Sequence, residues 1–260
     1  MRSIFRLSVP VIMMLSACSK SDDNKNTGTP GGGTEGREPV KTGVYTVVNM
    51  QADTAANSAG SARTIYYSLE ENRIVPAAQA QTASWDIAFT GIYNSSVAPN
   101  NGNAANSPGN GGPGKGALLL LRDASVESRY FNDNNNTPKV LPVPKALFDE
   151  AFVNVKSVTS PDTDFMTNDY VGLDHFMGTG FGYAFYDFSG ALFPGNPKKA
   201  HIVYTFPRVI LIKTAKGKYA KLQILSVYKD SPANPDRDNK TGYLSFRYAI
   251  QMDGSKKLDF

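Results

Sequence analysis

The sequence predicts a mainly β chain, a single twisted antiparallel domain with short helical turns. Three observations carry that expectation. The C-terminal third alternates apolar and polar residues with a period of two, as half-buried strands do. Elsewhere the apolar runs are short and are separated by Gly, Pro, Asn and Ser. No long stretch carries the 3.6-residue period of a helix, and no internal repeat is present.

The elements follow in order. Tyr45–Val48 and Thr64–Leu69 are the first two strand candidates. Trp85, Ile87 and Phe89 alternate with Asp86, Ala88 and Thr90, the pattern of a strand with one wet face. Ala117–Leu121 is a continuous apolar run and suits a strand buried on both faces. Lys145–Phe152 follows Pro144 and predicts two helical turns. Val209–Thr214 and Tyr219–Tyr228 flank Ala215-Lys216-Gly217-Lys218, where Gly217 supplies the positive φ of a tight hairpin turn. The last strand, Tyr243–Met252, sets Leu244, Phe246, Tyr248, Ile250 and Met252 on one face and Ser245, Arg247 and Gln251 on the other. Lys221 reads as part of a solvated hairpin face, and Trp85 and Phe89 as core.

Residues 94–116 interrupt this texture. They are rich in Asn, Gly, Pro and Ser, and no core can be built from them. A loop of that length is functional or disordered more often than merely connecting. Gly114-Lys115-Gly116 does not make a phosphate loop, because no Ser or Thr follows the Lys and no helix follows the loop.

The N-terminus sets the compartment. Arg2 and Arg6 precede a short apolar run, Leu7–Leu15, too short to span a bilayer. It ends in Leu15-Ser16-Ala17-Cys18, which resembles a bacterial lipobox. The expectation is a signal peptide over residues 1–17, lipidation of Cys18, a disordered tether over residues 18–42 and one folded domain over residues 43–260. Asp22-Asp23 behind the Cys resembles a surface-export signal, so a lipid-anchored protein of the outer membrane, exposed at the cell surface, is expected.

Composition removes several function classes. The chain has 27 Lys+Arg against 23 Asp+Glu, and without Arg2 and Arg6 the balance is only 25 against 23, so nucleic acid is not an expected partner. A single Cys excludes an intramolecular disulfide and a Cys-based zinc site. Two His, no Gly-x-Ser-x-Gly elbow and no singled-out carboxylate pair give no enzyme signature.

One window concentrates the chemistry. Residues 165–206 hold 11 of the 28 aromatics and both histidines, His175 and His201, with Met166 and Met177 among them. Imidazole and thioether are axial ligands of haem iron, and a porphyrin requires apolar and aromatic walls. Lys198, Lys199 and Arg208 stand near His201 and suit propionates, although adjacent lysines are as readily a solvated pair. On residues alone the window also fits a plain aromatic core or a sugar-stacking surface.

Several stretches carry a family resemblance. Ala83-Ser84-Trp85-Asp86-Ile87-Ala88-Phe89, with the glycine-rich loop ending Gly112-Pro113-Gly114-Lys115-Gly116-Ala117, resembles the HmuY-like haem-binding lipoproteins. So do Ile210-Leu211-Ile212-Lys213-Thr214, Gly217-Lys218-Tyr219-Ala220-Lys221-Leu222-Gln223-Ile224 and Phe246-Arg247-Tyr248. The resemblance implies an all-β haemophore-like protein that captures haem (iron protoporphyrin IX), drawn in some cases from host haemoproteins. It implies handover to a TonB-dependent outer-membrane receptor for iron acquisition. It further implies two axial side chains from loops of the second half, which here fall on His175 and His201, with Met177 competing for the first position. The rival reading is a surface interaction or glycan-binding lipoprotein that takes no haem.

Overall fold

The computed structural model describes residues 39–55, 61–134, 136–174 and 182–260. Cys18, His175 and Met177 lie outside the described residues, as do the expected signal peptide and most of the tether. Among the described residues no helix is long and apolar enough to cross a membrane.

In chain order the elements are β1 (Gly43–Gln51), β2 (Ile65–Ser68), β3 (Arg73–Val75), β4 (Ile87–Thr90), β5 (Ser96–Pro99), β6 (Ala117–Leu121), α1 (Ala124–Glu127), β7 (Phe131–Asn132), β8 (Thr137–Pro138), α2 (Lys145–Asn154), β9 (Leu173–Asp174), β10 (Ala184–Asp187), β11 (Ile202–Thr205), β12 (Val209–Lys213), β13 (Tyr219–Tyr228) and β14 (Thr241–Gln251). They form a five-stranded sheet β1-β14-β13-β12-β6, a four-stranded sheet β3-β2-β4-β5, a three-stranded sheet β11-β10-β9 and the small β7-β8 pair. The mainly β, antiparallel class is as expected; among the described residues the sheets do not close into a barrel, and only β9 and β10 run parallel.

The β12–β13 hairpin pairs Ile210 with Leu222 and Lys213 with Tyr219. Its turn is closed by Gly217 at φ 86°, with the Thr214 hydroxyl accepting from the Lys218 N–H at 3.0 Å. Leu244, Phe246, Tyr248 and Ile250 on β14 join Val47, Tyr67, Phe89, Leu118, Ile210 and Leu222 in the main core, between the five- and four-stranded sheets. Met252 packs at its margin.

The opposite face of the large sheet departs from the sequence expectation. Lys221 is 3% exposed and Gln223 is fully buried, because α2 lies across them. Lys221 Nζ donates to the carbonyls of Phe152 and Val155 at 2.8 and 2.6 Å. Gln223 and Arg247 donate to the carbonyl of Phe148. The carbonyls of Phe152 and Val155, at the C-terminal end of α2, are without intrahelical partners, and Lys221 supplies their donor; Gln223 and Arg247 add a second hold on the helix at Phe148. Burial and the neighbouring Arg247 lower the Lys221 pKa to about 8.

The strand around Trp85 also differs from the half-wet pattern. Trp85, Asp86, Ile87, Ala88 and Phe89 are all buried. Trp85, Ala88 and Val75 form a small separate cluster: Ala88 lies on the face predicted to be wet, and Trp85, expected beside Ile87 and Phe89, packs with it instead. The cause is residues 100–116, which fold back over that face. Asn100 is fully buried and its Nδ2 donates to the carbonyls of Thr82 and Trp85 at 2.8 and 2.7 Å. Gly114 sits so close that a Cβ there would lie 2.3 Å from Asn100 Oδ1. The glycines of this segment serve close packing around one buried amide, not an open loop.

Candidate functional site

The three-stranded sheet positions His201. In β10 and β11, Asp187 stands opposite Ile202, so His201 is the residue just before that pair. Strand β9 runs parallel to β10 with Asp174 level with Phe185. The C-terminal ends of β9 and β10 and the N-terminal end of β11 therefore lie at one end of the sheet. Asp174, the residue immediately before His175, is thus at the same end as His201.

His201 is exposed and strongly oriented. Its φ is 61°, a left-handed conformation uncommon for a non-glycine residue. Its N–H donates to the Asp187 carbonyl at 2.7 Å. Its Nδ1 is 2.7 Å from the Tyr186 hydroxyl. Phe188 meets the imidazole edge to face at a centroid distance of 4.7 Å and is itself 67% exposed. One Asp187 carboxylate oxygen accepts from the N–H groups of Gly190 and Ala191, which shapes the turn behind Phe188. A residue in a sparsely populated backbone conformation, overdetermined by its neighbours, is the kind of outlier that marks functional positions.

Beside His201 opens a cleft of about 330 Å³ whose walls include Tyr93, Tyr186, Val203, Val227, Tyr228 and Arg237. Burial raises the Tyr186 pKa, while Arg237 pulls it the other way. Arg237 makes no ion pair among the described residues. The donor set fits a haem group: one imidazole with Nε2 uncommitted, aromatic and aliphatic walls, and a guanidinium for an anionic edge. Among the described residues no cluster of three or more His, Cys, Asp or Glu suits a bare metal ion.

The three cations expected at the propionates are otherwise engaged. Arg208 is 1% exposed. Its guanidinium donates to Asp174 at 2.7 Å, to the Gly182 carbonyl at 2.5 Å and to Glu127 at 2.5 Å. Phe131 and Phe206 flank it at 4.9 and 4.6 Å. Lys199 is buried and donates to Asn234 Oδ1 and the Pro235 carbonyl, both at 2.6 Å. Lys198 is ion-paired with Asp238. A guanidinium buried among carboxylates cannot reach a ligand edge, so Arg208 belongs to the frame.

Sequence reading missed Tyr186 and Arg237. Tyr186 is aligned with His201 only through the β10–β11 register. Arg237 lies in a Pro- and Asp-rich connection that passes beneath His201, and its backbone N–H donates to the Lys198 carbonyl at 3.0 Å.

The model of the HmuY protein family matches residues 61–248. The chain belongs to the HmuY family. That span contains the Ala83–Phe89 run, the glycine-rich loop and the C-terminal strands on which the resemblance rested, together with His175, Met177 and His201. No curated protein sequence matches the chain. Two solved structures are similar to it at low identity. One is a candidate lipoprotein from Bacteroides fragilis NCTC 9343, 13% identical, with a TM-score of 0.35, covering 79% of this chain and 88% of its own. The other is a candidate HmuY-like haem-binding protein from Bacteroides vulgatus ATCC 8482, 12% identical, with a TM-score of 0.34, covering 78% of this chain and 96% of its own.

Proposed function

We propose that this HmuY-family chain is a haem-capturing lipoprotein, anchored through Cys18 at the outer-membrane surface, that passes haem to a TonB-dependent receptor. The observation that carries the reading is the held imidazole of His201 on the rim of an aromatic cleft, at the same end of the sheet from which residue 175 follows Asp174. His201 Nε2 would hold the iron from one side chain, and His175 or Met177 would supply the second donor.

Haem, when bound, would supply an iron for two side-chain donors to ligate, and with both donors in place it would have no room for oxygen chemistry. The protein's own residues do the rest. Phe188 and Tyr186 wall the ligand, Arg237 meets its anionic edge, and the β10–β11 register fixes where His201 stands. Capture and release require no catalysis.

Titration of the chain from Ser19 onward with ferric haem tests this. Saturation at one equivalent is expected, with a spectrum altered by His201→Ala and by either His175→Ala or Met177→Ala. Identical spectra in the wild type and in a His175→Ala/His201→Ala double variant would contradict it. Loss of membrane partitioning in Cys18→Ser tests the anchor.

A further inference from the structure

We infer that Tyr186 is a positioning residue for His201: its hydroxyl accepts the Nδ1 proton, so that Nε2 carries the lone pair directed at iron. The inference rests on the haem-capture reading and adds a partner to the described ligand.

An imidazole ligates through one nitrogen, and the partner of the other nitrogen sets both tautomer and ring angle. Here that partner is 2.7 Å away. It is not an accident of side-chain reach. Tyr186 lies on β10 opposite Val203, two residues beyond His201 on β11, so the pairing is set by backbone register. The Asp187 carbonyl holds the His201 N–H at 2.7 Å, which fixes the Cα from which the ring projects. Phe188 packs on the ring at 4.7 Å and on Tyr186 at 6.2 Å, so rotation of either ring disturbs the other. Three consecutive residues of one strand end, Tyr186, Asp187 and Phe188, thus act on one imidazole, and only Tyr186 does so through a ring nitrogen.

A neutral histidine side chain in water favours the Nε2–H form, which is the wrong one for ligation through Nε2. An acceptor at Nδ1 reverses that preference. When Nε2 is bound, the same hydrogen bond increases the donor strength of the ring.

The test uses Tyr186→Phe in the chain from Ser19 onward, which keeps every described residue. Nitrogen-15 resonances of the His201 ring, assigned with His201→Ala, report the tautomer without haem. The wild type is expected to hold the proton on Nδ1, and Tyr186→Phe to move it toward Nε2. With haem, the variant is expected to bind about 10- to 100-fold more weakly. Its iron reduction potential is expected to rise, and the tautomer shift without haem is the change that loss of packing alone does not produce. The same tautomer in both proteins, or haem affinity within about twofold of wild type, would overturn the inference. Failure of the wild type to take up haem would instead overturn the haem reading, and with it the iron-directed role of Tyr186.

Discussion

Arg208 and Asp174 form an ion pair at 2.7 Å in which neither side chain touches solvent. The same guanidinium nitrogen donates to the Gly182 carbonyl at 2.5 Å, and the second Asp174 oxygen accepts from the Gly182 N–H at 2.5 Å. Residues 174 and 182 are thereby fastened to each other and to Glu127 on α1. This fastens the end of the three-stranded sheet where β10 begins and β11 finishes, opposite to the end that carries His201.

Removing the cation alone strands two buried carboxylates. Arg208→Met is therefore expected to destabilise the fold by about 3–5 kcal/mol, the range for breaking a buried ion pair from one side. Urea unfolding measures this. If Arg208 served only a ligand edge, stability would move by no more than about 0.5 kcal/mol.

The segment over residues 100–116 makes a second prediction. Asn100 bridges two carbonyls from inside, and Gly114 and Gly116 close on it at distances no side chain tolerates. Asn100→Ala leaves the Thr82 and Trp85 carbonyls without that donor, at a cost of about 1–3 kcal/mol. Gly114→Ala is expected to destabilise too, since a Cβ would lie 2.7 Å from the Asn100 backbone oxygen. A freely solvated loop would tolerate both changes, and thermal unfolding separates the cases.

Lys221 gives a pH signature. Its folded pKa is lowered to about 8 from 10.5 by burial and by Arg247. Between those two values the unfolded chain binds more protons than the folded one, so this group makes stability rise with pH. The urea midpoint of wild type, relative to Lys221→Met, is expected to increase from about pH 7.5 to about pH 9.5. A constant difference between the two proteins would mean that the amine does not titrate in that window.

Local pattern alone carried the strands whose faces are set by their own sequence. The β12–β13 hairpin and the apolar stripe of β14 were legible because a period of two and one turn glycine suffice to specify them. Lys221, Gln223 and Arg247 were misleading for a physical reason. They look like a wet face, yet their partners are carbonyls of α2, brought over the sheet from 69 to 99 positions away. Residues 100–116 misled in the same way, since one buried asparagine organises a composition that reads as loop. Of the site, the aromatic window and His201 were visible as residue types. The contact between Tyr186 and His201 was not, because it exists only once β10 and β11 are in register.

The most direct test of the account is electron paramagnetic resonance of the ferric haem complex, comparing wild type with His201→Ala at one equivalent of haem. With two axial side chains on the iron, the wild type is predicted to be low-spin and the variant to turn high-spin as its nitrogen donor is lost. A low-spin signal of the same shape in both would contradict the assignment of His201 as a haem ligand.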